Sequence, residues 1–114
     1  MTFRENKSIV RLALEGNFFF SWDSAKAEIN LRKHGISFED AAYAFLDPRS
    51  LLSVDPHPDG DRMRSIGFSE TVSAILFVVH VERTLVGKDD DSVVLRNVSA
   101  RRADRKEREL YDGG

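Results

Sequence analysis

The chain has 114 residues, no cysteine and a formal net charge of −2 at pH 7. This length suits one domain with a single core, and the absence of cysteine excludes a disulfide framework, a thiol nucleophile and a thiolate metal site. No apolar run is long enough to span a membrane, so we expect a soluble, cytoplasmic protein without membrane contact.

The first 20 residues divide into two parts of different character. Residues 1–16 show no clear hydrophobic period, and we expect them to form an N-terminal extension to a domain that spans residues 17–114. Phe18, Phe19 and Phe20 then offer a large apolar area in a short segment. These three aromatic residues predict a short buried strand.

A helix is predicted next, with Asp23 as its N-cap, His34 near its end and Gly35 as the left-handed residue that stops it. Lys26 and Lys33 lie seven residues apart and share one polar stripe of this helix. A solvated helix surface explains that stripe. The alternative is that Lys33 and His34 belong to a functional site. The helix dipole favours a protonated His34 imidazole at the C-terminal end of the helix, and this imidazole can donate a proton.

The middle of the chain predicts a second helix followed by several strands. Ser37 begins the helix in a capping-box pattern, and Asp47-Pro48 ends it. Strands are predicted at 50–55, 62–68, 72–81 and 92–98, with a polar connection at 82–91. His80 ends the most apolar strand, so it either faces a cleft near a site or is a hydrogen-bonded histidine at the edge of the sheet. This order predicts an α+β domain with an antiparallel sheet, an N-terminal helix pair and a C-terminal helix.

Positive charge is concentrated near the C-terminus. Residues 96–108 carry a net charge of +4, whereas the rest of the chain carries −6. Arg101 and Arg102 are predicted at a strand-to-helix corner, which Asp104 and Glu107 close as a capping box. A local basic patch on an acidic protein suits a nucleic-acid backbone. The alternative is a solvated helix whose basic side chains have no ligand.

Common catalytic signatures are missing from the sequence. It has no phosphate-binding glycine loop, no nucleophile elbow and no zinc-protease motif. His34, His57 and His80 lack the spacing of a local metal site, so we expect no metal and no cofactor. The remaining arginine, lysine, histidine, glutamate and tyrosine side chains suit RNA cleavage without a metal. In that reaction a base takes the 2′-hydroxyl proton, arginines stabilise the phosphate charge and an acid protonates the leaving 5′-oxygen.

Several short motifs occur in a fixed order and spacing. They are Trp22-Asp23, Lys33-His34-Gly35, Asp47-Pro48, Arg62 with Gly67, and Ser99-Ala100-Arg101-Arg102 with Glu107 and Tyr111. Together they resemble the BrnT family of toxins over about residues 18–112. The resemblance implies a RelE-like α+β fold and a ribonuclease toxin of a type II toxin-antitoxin system, which inhibits translation until its antitoxin neutralises it. It also implies a BrnA-like ribbon-helix-helix antitoxin as partner, RNA as substrate, and operator DNA bound only through the antitoxin.

The resemblance also implies which residues form the site. The catalytic candidates are Lys33, His34, Arg62, Arg101, Glu107 and Tyr111. We expect Arg62 and Arg101 to bind the phosphate, and the other four are acid and base candidates that the sequence does not rank. Further basic side chains expected to contact RNA are Lys26, Arg96, Arg102 and Arg105. The alternative function is a non-catalytic binding module that holds its antitoxin in a DNA-binding autorepressor complex.

Overall fold

The computed structural model describes residues 7–11, 18–56, 62–85 and 92–113, which form one sheet and three helices. The strands are β1 (Lys7–Arg11), β2 (Phe18–Asp23), β3 (Leu51–Val54), β4 (Arg62–Ser69), β5 (Ala74–Leu85) and β6 (Ser92–Arg102). The helices are α1 (Ser24–His34), α2 (Phe38–Phe45) and α3 (Arg105–Gly113). The predicted loop around His57, most of the predicted extension and residues 86–91 of the predicted connection lie outside the described residues.

The six strands are ordered β1-β2-β6-β5-β4-β3 in one sheet. The α+β class is confirmed, and most neighbouring strands are antiparallel as predicted. The strand β2, however, runs parallel to β6, with Phe20 opposite Leu95. The prediction of an antiparallel sheet is therefore wrong for this pair, and the sheet is mixed. Parallel strands need a long connection, and here it runs from β2 through α1, α2 and the strands β3, β4 and β5 to β6.

The helix boundaries follow from local chain chemistry. The Asp23 carboxylate accepts hydrogen bonds from the amides of Ala25 and Lys26, and this begins α1. Gly35 has a φ of 73° and its amide bonds to the carbonyl of Leu31, which ends the helix as predicted. Ser37 caps α2 in the same way, through the amide of Asp40.

The core lies between one face of the sheet and the two helices α1 and α2. Its aromatic contacts are edge-to-face, with Trp22 6.1 Å from Phe38 and Phe20 5.8 Å from Phe45 between ring centroids. Gly67 of β4 lies against α2 so closely that a Cβ there would be 2.1 Å from the backbone carbonyl oxygen of Ala44. The sheet and α2 are therefore in direct backbone contact.

Two buried asparagines connect the helical layer to the sheet and to the loop after α1. Asn30 of α1 donates to the carbonyls of Ile36 and Ala100, at 3.0 and 2.8 Å, and accepts from the amide of Ala100 at 3.1 Å. Asn97 donates to the carbonyl of Phe38 at 3.1 Å. These bonds satisfy buried amides and fix the position of the helices along β6. Among the described residues, no helix has the length and apolar character needed to cross a membrane.

Candidate nucleic-acid interface

The sheet has a second face, which we call the open face, opposite α1 and α2. Side chains alternate along a strand, so Arg62 and Arg64 of β4 point away from the face on which Gly67 meets α2. Both are half-buried rather than fully solvated. The helix α3 lies over part of this open face, because a groove there is lined by Arg64 and Phe77 of the strands and by Leu110 of the helix.

A bulge brings two arginines of β6 to the same face. Arg96 and Arg101 are five residues apart, and regular alternation would place them on opposite faces. The register between β5 and β6 shifts by one residue at Val98, so both arginines point to the open face. Val81 then separates Arg62 from Arg96 in one row across three strands. The open face thus carries arginines from both strands that flank β5.

Arg101 is held in one orientation by Glu107, by Phe77 and by the Arg102 carbonyl, which accepts from Nη1 at 3.1 Å. Its Nη1 and Nη2 each donate to one carboxylate oxygen of Glu107, both at 2.8 Å, in a bidentate ion pair. Its guanidinium carbon lies 4.4 Å from the centroid of the Phe77 ring. The hydrogen bond to Glu107 raises the pKa of Arg101 above its usual value. A permanently charged, planar group is therefore fixed on the open face, with 37 % of its side chain exposed.

The helix α3 begins with the predicted capping box. The Glu107 amide donates to the Asp104 carboxylate, and the Asp104 amide donates to Oε1 of Glu107, both at 2.8 Å. The same Glu107 carboxylate therefore both caps α3 and binds Arg101. Only 14 % of its side chain is exposed. The orientation of Arg101 is thus coupled to the start of α3.

Tyr111 attaches the other end of α3 to the rest of the domain. Its hydroxyl donates to the carboxylate of Asp47, which also accepts from the amides of Phe68 at 2.8 Å and Arg49 at 3.0 Å. Burial opposes ionisation of Asp47, but these hydrogen bonds outweigh it and lower the pKa of the carboxyl. The bond to Asp47 raises the pKa of Tyr111. Tyr111 therefore keeps its proton at neutral pH, and it is only 8 % exposed.

A small groove lies between α3 and the strands. Its volume is about 210 Å³, and its walls are Ser53, Arg64, Ile66, Phe77, Glu107 and Leu110. Arg64 donates through Nε to the Ser53 hydroxyl at 3.2 Å, which orients its guanidinium. Glu107 and Phe77 contact Arg101 as well as lining the groove. The groove and the fixed guanidinium are therefore adjacent.

The remaining sequence-predicted site residues lie elsewhere. Lys26, Lys33 and His34 belong to α1, on the opposite side of the sheet from Arg62 and Arg101. Arg102 pairs with the core residue Leu76, so the strand directs its exposed side chain to the α1 side of the sheet. Arg105 is exposed on α3 and bonds to Glu109 at 3.3 Å. The structure thus places Arg62, Arg96 and Arg101 on the open face, with Glu107 bound to Arg101, and separates them from the α1 residues.

His80 is a core residue beneath α2. It is 1 % exposed and lies edge-to-face on Phe45, with 5.3 Å between ring centroids. Neither ring nitrogen has a hydrogen-bond partner among the described residues, so the expectation of a hydrogen-bonded histidine is wrong within that part of the chain. Burial lowers the pKa of His80 from 6.5 to about 4. His80 is accordingly neutral at physiological pH.

Sequence reasoning missed three residues of this surface. Arg64 alternates with Arg62 in the sequence, and that alternation was the available indication that both share a face. Phe77 lies within the predicted strand at 72–81 and has no distinguishing feature in the sequence, and the sequence predicts Asp47 only as part of a helix end. Nothing local indicates that Asp47 meets a tyrosine 64 positions away. Within the described residues, no group of three or more histidine, aspartate or glutamate side chains is arranged to hold a metal ion.

Comparison with protein-family models identifies the family of the chain. A family model described as "Ribonuclease toxin, BrnT, of type II toxin-antitoxin system" matches residues 22–107. No curated protein matches the chain. The matched region extends from β2 to the first turn of α3 and therefore includes the arginines of the open face together with Glu107.

Proposed function

Since the chain belongs to the BrnT family of ribonuclease toxins of type II toxin-antitoxin systems, we propose that it cleaves RNA without a metal and that the open face is its RNA site. The observation that carries this proposal is the geometry of Arg101. Its guanidinium is fixed between Glu107 and Phe77 on the face that also bears Arg62 and Arg96. Guanidinium groups held in advance of binding stabilise the charge that develops on a reacting phosphate.

In the proposed reaction the 2′-oxygen of a ribose attacks the adjacent phosphorus, and the bond from phosphorus to the 5′-oxygen breaks. The 2′-hydroxyl proton passes to a base, and the leaving 5′-oxygen receives a proton from an acid. The products are a 2′,3′-cyclic phosphate and a 5′-hydroxyl. Arg101 and Arg62 would bind the non-bridging oxygens, whose negative charge increases in the transition state, while Arg96 would bind a neighbouring phosphate.

Glu107 and Tyr111 are the acid and base candidates closest to this face. Glu107 carries the carboxylate beside Arg101 and is our proposed base. Tyr111 keeps its proton because its pKa is raised, so it is our proposed acid. In the free protein the Tyr111 hydroxyl donates a hydrogen bond to the Asp47 carboxylate. It would have to turn from that carboxylate to the leaving oxygen when RNA binds.

The basic residues on the other side of the sheet have a separate proposed role. Lys33 and His34 stay catalytic predictions, and Lys26 and Arg102 stay predicted RNA contacts. Lys33 lies on α1, and the core separates α1 from the open face. A single phosphate therefore cannot contact both Lys33 and the arginines of the open face. We propose that Lys26 and Arg102 contact RNA flanking the cleavage point, and that Lys33 and His34 act on that flanking RNA rather than at the bond that breaks. Arg105, at the start of α3, would contact the phosphate chain beside Arg101.

The biological setting follows from family membership. A type II toxin has an antitoxin partner, and we propose that this partner is a BrnA-like ribbon-helix-helix protein through which the complex binds operator DNA. We also propose a RelE-like fold, a cytoplasmic location, and inhibition of translation until the antitoxin binds. The helix pair α1 and α2 on one face of the sheet supports that fold. We further propose a domain at 17–114 preceded by an extension at 1–16, of which residues 7–11 add the edge strand β1 to the sheet.

The test is cleavage of a defined single-stranded RNA in excess chelator by the wild type, Arg101→Ala and Arg32→Ala. Arg32 is an exposed arginine of α1 that pairs with Glu28 at 3.8 Å, so its removal controls for lost charge. We expect cleavage by the wild type and by Arg32→Ala but not by Arg101→Ala. A substrate with a 2′-deoxyribose at the cleaved position should resist all three proteins. Cleavage of that substrate would contradict the proposed reaction.

A second candidate function is a non-catalytic module that binds its antitoxin in an autorepressor complex. The observation in its favour is that the key groups are already paired, Arg101 with Glu107 and Tyr111 with Asp47. Folded protein that cleaves neither free RNA nor messenger RNA on translating ribosomes would support this function. Growth arrest upon expression, relieved by the antitoxin, would exclude it.

A further inference from the structure

The groove between α3 and the strands is large enough for a small planar ligand. Its volume of about 210 Å³ lies below that of typical pockets for drug-sized molecules. We propose that it binds a guanine base of the RNA, next to the phosphate that Arg101 holds. This inference rests on the proposed function, because it assigns base selectivity to the same site.

The walls of the groove suit the faces of a base. Ile66, Phe77 and Leu110 provide apolar surfaces from two strands and from α3. Leu110 is 61 % exposed in the free protein, so a ligand in the groove would remove an apolar side chain from water. Flat aromatic and aliphatic walls bind bases by stacking, which every base can use. The walls therefore favour a base without selecting one.

Selectivity would come from the polar rim. The Arg64 guanidinium is oriented by one bond from Nε to the Ser53 hydroxyl, and its terminal nitrogens have no partner among the described residues. A guanidinium fork matches O6 and N7 of guanine, which are both acceptors, whereas adenine presents a donor at the equivalent position of its six-membered ring. Glu107 lies on the same rim, but its two carboxylate oxygens already accept from Arg101, so base selection is assigned to Arg64.

The groove lies next to Arg101, the proposed phosphate-binding residue. Phe77 is in contact with the Arg101 guanidinium and lines the groove. A nucleotide whose base lay in the groove would therefore have its phosphate chain beside Arg101. The apolar walls of the groove favour a base over a bare phosphate, because a phosphate has no flat face to stack on them.

The experiment uses short RNAs with one cleavable position, flanked by guanine, by adenine or by 7-deazaguanine, which lacks N7. We compare the wild type with Arg64→Ala, Arg64→Lys and the control Arg32→Ala. The wild type should prefer guanine to adenine in kcat/KM by roughly 5- to 150-fold and lose part of that preference with 7-deazaguanine. Both Arg64 variants should lose the preference, because lysine keeps the charge but not the fork. Arg32→Ala should keep it.

Binding of guanosine monophosphate and adenosine monophosphate provides an independent readout. The wild type should bind the guanine nucleotide more tightly, and Leu110→Ser should weaken both, because an exposed wall is removed without loss of charge. Equal cleavage beside guanine and adenine, or a guanine preference retained in cooperatively folded Arg64→Ala, would overturn the inference. Guanine-selective binding without any RNA cleavage would uphold the groove and refute the proposed catalysis. Equal nucleotide binding by a protein without cleavage would refute both.

Discussion

His80 makes the stability of the fold depend on pH in a way that one substitution isolates. The ring lies beneath α2 with no hydrogen-bond partner among the described residues. Burial lowers its pKa from 6.5 to about 4, because the charged imidazolium is excluded from the core. The His80 ring is therefore neutral in the folded state at pH values above about 4. The stabilisation is complete above pH 6.5 and decreases as the pH falls from 6.5 towards 4.

The size of the effect follows from the two pKa values. They differ by about 2.5, and each pH unit corresponds to about 1.4 kcal/mol. Protonation of the unfolded chain should thus remove roughly 3 kcal/mol of the free energy of unfolding by pH 4. His80→Leu keeps an apolar side chain of similar size in the core and has no proton to bind. Between pH 7.5 and pH 4, the free energy of unfolding of the wild type should therefore fall by roughly 3 kcal/mol more than that of His80→Leu.

The assay is urea unfolding at pH values from 7.5 to 4, followed by tryptophan fluorescence. Trp22 is the single tryptophan of the chain and is 5 % exposed, so its emission reports the core. Carboxylates that titrate in this range contribute equally to both proteins and cancel in the difference. His34→Gln, on the surface of α1, controls for the loss of a histidine. Parallel pH profiles for the wild type and His80→Leu would refute this account of His80.

Three further substitutions test the contacts that hold the site, each measured by urea unfolding at pH 7.5. Gly67→Ala should lower the free energy of unfolding by roughly 2 kcal/mol, because the new methyl group would clash with the backbone of α2; an unchanged midpoint would mean that α2 moves aside at no cost. Asp104→Ala should cost about 1 kcal/mol by removing the cap of α3, whereas Asp104→Asn should recover most of it. Tyr111→Phe should cost about 1 kcal/mol through its lost bond to Asp47, and RNA cleavage that is undiminished in this variant would exclude Tyr111 as the acid.

Features that depend on neighbouring residues were predictable from the sequence. The helix α1 begins after Asp23 and ends before Gly35, as predicted. Asp104 and Glu107 form the predicted capping box. Each of these contacts joins residues at most four positions apart, so the chain has few alternative ways to satisfy the groups involved. The strand ends were less accurate. The strand β6 was predicted to stop at Val98 but continues to Arg102, because pairing with β5 extends it through the polar residues.

Features that depend on distant residues were not predictable. The parallel pairing of β2 with β6 and the bond from Tyr111 to Asp47 join segments far apart in the chain. The ion pair of Arg101 with Glu107 spans six residues across a strand end and a helix start, which is not a helical spacing. The sequence therefore indicated which residue types form the site. Their division between two faces of the sheet depends on the bulge and on tertiary packing.

The bonds of Asn30 to Ala100 have a consequence for contacts between molecules. Pairing of β2 with β6 ends at Arg96, so no strand among the described residues lies on that side of the last part of β6. An unpaired edge of this kind is a template for strands of other chains. The Asn30 amide donates to the carbonyl of Ala100 and accepts from its amide, as a neighbouring strand would. A single side chain of α1 thereby occupies the edge and protects the protein from aggregation at this point.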